Sequence, residues 1–197
     1  MNRRKALQKT GWFSGAALLA PLWLGLLESC KSEPRLDWQP LFFTELEART
    51  IAALLDMILP ATDTPGALDV KADMFIDKVL AKTYDAAGKA DFRERLAAFN
   101  ASCETTYGKK FIDLSEQDKI AVLKREESNS PKFNRGVWGK TIGEQLPVGF
   151  YRGLKSMAVW AYCTSEEIGE NVLSYDPVPG IYEPCKPIDE VGNRWSL

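Results

Sequence analysis

Apolar residues recur along this chain mostly at helical spacing. Thr44-Glu45-Leu46-Glu47 has the form of a capping box, a hydroxyl residue with a carboxylate three positions on. Ile51, Leu54, Leu55 and Ile58 follow at i, i+3, i+4 and i+7, the signature of one apolar helix face, and Pro60 ends the run. The same reading predicts a second helix from Val70 to Tyr84, with Phe75, Ile76, Val79 and Leu80 turned inward and Gly88 marking the break after it. A third carries Phe92, Leu96, Phe99 and Cys103 on one stripe, which makes Cys103 a small core residue. Ser115-Glu116-Gln117-Asp118 opens a fourth, with Ile120 and Leu123 facing the core. From Ser128 to Gly143 periodicity gives way to a long loop of the kind that is commonly functional or mobile. A fifth helix holds Phe150, Leu154, Met157, Ala158 and Ala161, and Thr164 or Ser165 caps a short sixth that ends near Leu173. Beyond Tyr175, Pro177, Pro179, Pro184 and Pro187 predict an extended tail. No stretch alternates with a period of two, so the expected fold is all-α: one bundle of five to six helices with a Pro-rich tail.

The amino terminus breaks this pattern. Arg3-Arg4-Lys5 precedes an uncharged run from Gly11 to Leu27 that contains Pro21 and several glycines. It is short for a spanning helix, which needs about 20 apolar residues. A basic start followed by a short apolar core reads as an export signal, and the pair Arg3 and Arg4 points to the twin-arginine (Tat) translocon. Leu27-Glu28-Ser29-Cys30 resembles the lipobox of bacterial lipoproteins, with Glu28 unusual at its position. On that reading Cys30 is lipidated and anchors the chain to the membrane; the alternative is a plain export signal with an incidental Cys30. The expected organisation is a signal over 1–29, a polar tether over 30–42 and one helical domain over 43–197.

Composition narrows the chemistry. The chain has 197 residues, 25 basic and 27 acidic side chains, and no histidine. Cleavage before Cys30 would leave 21 basic against 26 acidic residues, a mildly acidic protein with no basic excess to hold nucleic acid. Lack of histidine removes the usual general base, the commonest metal ligand and any CxxCH haem site. No GxGxxG fingerprint follows a strand. Gly136-Val137-Trp138-Gly139-Lys140-Thr141 ends like a phosphate loop, but two residues separate its glycines where four are required, and Asn134 stands where the first glycine belongs. Glu126-Glu127 and Glu166-Glu167 are adjacent pairs that need not converge on a helix; Glu166 and Glu167 suit a helix first turn. No catalytic, cofactor-binding or metal site is expected in this chain.

Two segments are more specific. The first is Ile58-Leu59-Pro60-Ala61-Thr62-Asp63-Thr64-Pro65-Gly66-Ala67, continuing to Asp69 and Phe75-Ile76-Asp77. The second is Tyr162-Cys163-Thr164-Ser165-Glu166-Glu167-Ile168-Gly169, followed by Tyr175-Asp176-Pro177-Val178-Pro179-Gly180 and Tyr182-Glu183-Pro184-Cys185. Together they resemble the gluconate 2-dehydrogenase subunit 3 family, over roughly Phe43 to Pro187.

The resemblance implies a non-catalytic small subunit of a membrane-associated dehydrogenase. Its partners would be a large FAD-dependent subunit of the glucose–methanol–choline (GMC) type and a cytochrome c subunit carrying haem c. The substrate would be a sugar, a sugar acid or a polyol. Residues matching the family pattern, Pro60, Asp63, Thr64, Pro65, Gly66, Tyr175, Pro177, Pro179, Gly180 and Tyr182, are expected to contact the partner. Cys185 fits the tail motif and could pair with Cys103, with Cys163 or with a cysteine of the large subunit. A transient export escort for the flavoprotein and a stand-alone ligand-binding lipoprotein remain the alternatives.

Overall fold

In the computed structural model, residues 36–130, 136–137, 140–141, 148–175, 178, 180 and 185–193 are described. The chain divides into two units, Met1–Trp38 and Gln39–Leu197. The second is a helical bundle, and everything below concerns it. Arg3, Arg4 and Cys30 lie outside the described residues.

Helix α1 spans Glu45–Ile58 and starts on the expected capping box: Thr44 Oγ1 accepts from the Glu47 N–H, and Glu47 Oε2 accepts from the Thr44 N–H at 2.8 Å. Ile51, Leu54 and Leu55 are buried, with Ala48 and Thr50 beside them. Helix α2, Ala72–Thr83, is entered through Lys71, whose φ of 57° lies in the left-handed region. Its buried face is turned from the predicted one. Ile76 and Leu80 are inside as expected, but Asp73 and Asp77 share that face while Phe75 and Val79 are half-buried. The cause is the set of hydrogen bonds that Asp77 makes, described below.

Helix α3 runs from Ala86 to Tyr107 on the N-cap Asp85. Gly88 is therefore no break: it lies inside the first turn and donates its N–H to Asp85 Oδ1 at 2.8 Å. Phe92, Leu96, Phe99 and Cys103 are buried, and Gly108 closes the helix with a φ of 69°. A 3-10 turn at Phe111–Asp113 leads to α4, Glu116–Asn129, capped by Ser115. Here Val122 and Leu123 face the core, and Ile120 is 40% exposed instead of inward. At about 100° per residue, Ile120 sits roughly 110° from the direction midway between those two.

Within the expected loop, a two-residue antiparallel pair forms: β1 (Gly136–Val137) and β2 (Lys140–Thr141), with Gly136 opposite Thr141 and Val137 opposite Lys140. That is not the strand–loop–helix arrangement a phosphate loop requires.

Helix α5, Phe150–Cys163, is the centre of the bundle. It packs against α1, α2, α3, α4 and α6, most extensively against α2. Ala158 and Ala161, both buried, allow neighbouring backbones to come close on its inner side, where Tyr151 and Leu154 supply bulk. Helix α6 (Glu166–Asn171) buries Ile168, and a single turn α7 (Ile188–Val191) follows Pro187 in the tail. The prolines thus leave room for one helical turn, since Pro is well suited to a helix start. A chain of aromatic contacts crosses the bundle from Phe42 and Phe43 through Phe92, Phe150 and Phe99 to Phe111, with neighbouring centroids 5.1 to 5.8 Å apart. Among the described residues no helix is long and apolar enough to cross a membrane.

Candidate functional site

The loop between α1 and α2 carries the first family-like segment, and its shape is fixed from within. Leu59 closes α1 by donating its N–H to Leu55 O, and the chain then folds back so that the Ala67 N–H reaches Leu59 O at 2.8 Å. Gly66 sits against Ala61: a Cβ at position 66 would lie 2.6 Å from Ala61 N. Only glycine fits there, because the obstacle is backbone and cannot swing aside. The Gly66 N–H donates to Asp69 Oδ2 at 2.7 Å, and the Thr62 N–H donates to Thr64 O at 3.0 Å. Pro60, Asp63 and the neighbouring Ala61 and Thr62 are exposed, Thr64 and Pro65 half-buried, and Gly66 buried.

The second segment meets the first. Tyr162, near the end of α5, donates its hydroxyl to the carbonyl of Pro65 at 2.7 Å, across 97 positions of sequence. Ser165 in turn donates its hydroxyl to Tyr162 O at 2.7 Å, holding the turn into α6. Two residues earlier on α5, Trp160 stacks edge-on against Phe75 of α2, with centroids 5.0 Å apart and planes at 72°. Trp160 nevertheless remains 49% exposed. The two segments are therefore joined through Tyr162, which struts the self-tied loop, while the braced tryptophan lies on another side of α5. Sequence reasoning named the loop and the tail but not Trp160. Its signal was a large aromatic on the side of α5 away from Leu154, Ala158 and Ala161.

Asp77 is the other residue whose role the sequence left open. Its side chain is fully buried on α2, and it accepts three backbone N–H groups, from Leu41 (2.7 Å), Phe42 (3.0 Å) and Phe43 (2.9 Å). A buried carboxylate must be satisfied, and here a turn of main chain does it. Arg93 completes the clasp by donating to Phe42 O and placing its guanidinium 4.6 Å from the centre of the Phe42 ring. Leu41 and Phe42, at the end of the expected tether, are thus held in the bundle. Two acids one helical turn apart, Asp73 and Asp77, beside Ile76 and Leu80 were the available clue.

The expected tail contacts are only partly described. Tyr175 and Gly180 are exposed, while Pro177, Pro179 and Tyr182 lie outside the described residues. Cys103 is buried, Cys163 half-buried and Cys185 exposed, and each is a free thiol. Burial pushes the Cys103 thiol above its ordinary range, against the opposing pull of Arg125, so it packs rather than reacts.

The acid pairs separate as the helix geometry requires. Glu127 reaches across to α5, where its carboxylate meets Arg152 Nη2 at 3.0 Å and Lys155 Nζ at 3.2 Å. Its hydrogen bond from Lys155, aided by both positive charges, holds the carboxyl below its ordinary range. Glu126 instead lies 3.5 Å from Arg125. Glu166 and Glu167 occupy the first turn of α6. Among the described residues no group of three or more Cys, Asp or Glu side chains could hold a metal ion. The loop strutted by Tyr162 offers preset backbone, and Trp160, braced by Phe75, offers an exposed aromatic; each has the makings of a binding contact.

A family model described as Gluconate 2-dehydrogenase subunit 3 matches residues 45–180. Comparison with curated proteins and with solved structures returns no match.

Proposed function

The chain belongs to the gluconate 2-dehydrogenase subunit 3 family, an accessory-subunit family of a dehydrogenase complex, and from that membership we propose that it is the non-catalytic small subunit of an exported sugar, sugar-acid or polyol dehydrogenase. The large subunit is an FAD-dependent GMC-type flavoprotein that oxidises the substrate, and a cytochrome c subunit takes the electrons through haem c. This chain supports export, assembly and stability of the flavoprotein. Arg3 and Arg4 address it to the twin-arginine translocon, and Cys30 holds it by a lipid on the periplasmic side of the membrane.

The observation that carries this reading is the family match across residues 45–180, which takes in both the Pro60–Gly66 loop and the Tyr162 strut that braces it. A prefolded loop and strut reduce the ordering cost of association, which is what a permanently assembled subunit needs.

Gentle solubilisation of membranes containing the carboxyl-terminally tagged chain tests it. A near-stoichiometric flavin-bearing partner, with dye-linked oxidation of a sugar or polyol, is the expected outcome. Recovery of the chain alone, without flavin absorbance, would overturn the subunit reading.

A further inference from the structure

The outer side of α2 and the adjoining part of α5 carry a specific combination of groups. Lys78 and Lys82 fall three and seven positions after Phe75, so they lie with it along one stripe of α2 opposite the buried Asp73, Ile76 and Leu80, and Lys71 stands at the entry to the helix. All three lysines are exposed, and among the described residues none takes part in a salt bridge. Of the two acids nearest Lys71 in sequence, Asp69 already accepts the Gly66 N–H and Asp73 is on the buried face. Phe75 on this stripe braces Trp160, which leaves half of the indole in solvent but fixes its orientation. Leu68, also exposed, lies in the turn that leads into α2.

We propose that Trp160 and Lys71, Lys78 and Lys82 form the docking face for the flavoprotein subunit, which presents an apolar pocket for the indole rimmed by carboxylates. The proposal rests on the subunit reading above and gives that partner a chemistry and an address. A braced tryptophan has lost little further freedom to give up on binding, and tryptophan is the side chain most enriched among residues that dominate interfaces. The lysines on the helix face of its Phe75 brace, in no salt bridge among the described residues, steer an acidic partner and fix its register. A membrane surface fits less well. Basic segments that hold anionic lipid gather about four to eight Lys or Arg side chains, whereas this face has Lys71, Lys78 and Lys82 alone beside its single tryptophan. Proteins match such a local patch by shape as well as by charge.

The test uses the full tagged chain, matured and purified from membranes, titrated with the flavoprotein subunit at low and high salt. Trp160→Ala is expected to weaken binding about thirtyfold or more. The combined Lys71→Glu, Lys78→Glu, Lys82→Glu chain, altered only at exposed positions, is expected to bind at least tenfold more weakly at low salt, with the difference shrinking as salt rises. Unchanged thermal melting of the lysine variant separates docking from folding. If the unaltered chain binds the flavoprotein and both variants bind equally well, this face is wrong and the subunit reading stands. If the unaltered chain binds no flavoprotein, the subunit reading itself falls. If the lysine variant keeps its flavoprotein affinity but loses binding to vesicles of phosphatidylcholine and phosphatidylglycerol, the face belongs to the membrane and the proposal is overturned.

Discussion

Asp77 shows how one side chain can decide where a chain enters its fold. Three consecutive N–H groups at Leu41, Phe42 and Phe43 have this carboxylate as their acceptor. Asp77→Ala would strand the Phe42 and Phe43 donors in a dry site, at about 3 kcal/mol or more. For a chain of this length that lowers the melting temperature by about 6–12 °C, measurable by circular dichroism. An unchanged melting curve would show that water replaces the carboxylate at no cost. Gly66 and Gly108 make a contrasting pair. Gly66→Ala drives a Cβ into the Ala61 backbone and is expected to cost about 1–3 kcal/mol. Gly108→Ala meets open space, and its cost of about 1 kcal/mol comes from the left-handed φ of 69° alone. Denaturant midpoints of the two variants distinguish a contact penalty from a backbone penalty.

Among the elements, α1 and α3 followed their periodicity because each presents a simple apolar stripe to one side: Ile51, Leu54 and Leu55 in one, Phe92, Leu96, Phe99 and Cys103 in the other. Helix α2 did not, since hydrophobicity alone takes Phe75 over Asp77, and only the amino-terminal clasp reverses that preference. Ile120 on α4 has the same lesson in smaller form, because Val122 and Leu123 already fill the space against the core. The α4–α5 contact is electrostatic as well as apolar, and it is where pH enters. Glu127, held below its ordinary value of 4.5 by Lys155 and Arg152, contributes stability that is present above that value and lost as pH falls through the lowered one. Glu127→Gln should therefore melt lower than the unaltered chain near neutral pH and converge with it in acid. A constant gap from pH 7 to pH 3 would show that the carboxylate's charge is not what holds the contact.

On the scale of the whole molecule, the bundle hangs together through α5, which touches five of the other helices. This places both the strut of Tyr162 and the braced Trp160 on the helix that most of the bundle packs against. The export and anchoring reading belongs to this scale too. Cys30→Ala is expected to move the protein from the membrane to the soluble periplasmic fraction. Arg3→Lys with Arg4→Lys should retain it in the cytoplasm. Fractionation with immunodetection reads both, and continued membrane attachment of the Cys30 variant would remove the lipid from the account.

By itself the sequence determined the all-α class, the helix starts at Thr44 and Ser115, the buried place of Cys103 and the family, because capping, periodicity and motif residues are local properties written in short windows. It also marked the Pro60–Gly66 loop as special, through residues that only a constrained turn would need. Tertiary structure alone decided that Tyr162 reaches Pro65, that Asp77 faces inward, that Glu127 joins α5 and that Trp160 is both braced and exposed. Each of these depends on a partner between 25 and 97 positions away. Which distant groups meet is set by how five helices settle around α5, and no local window contains that information.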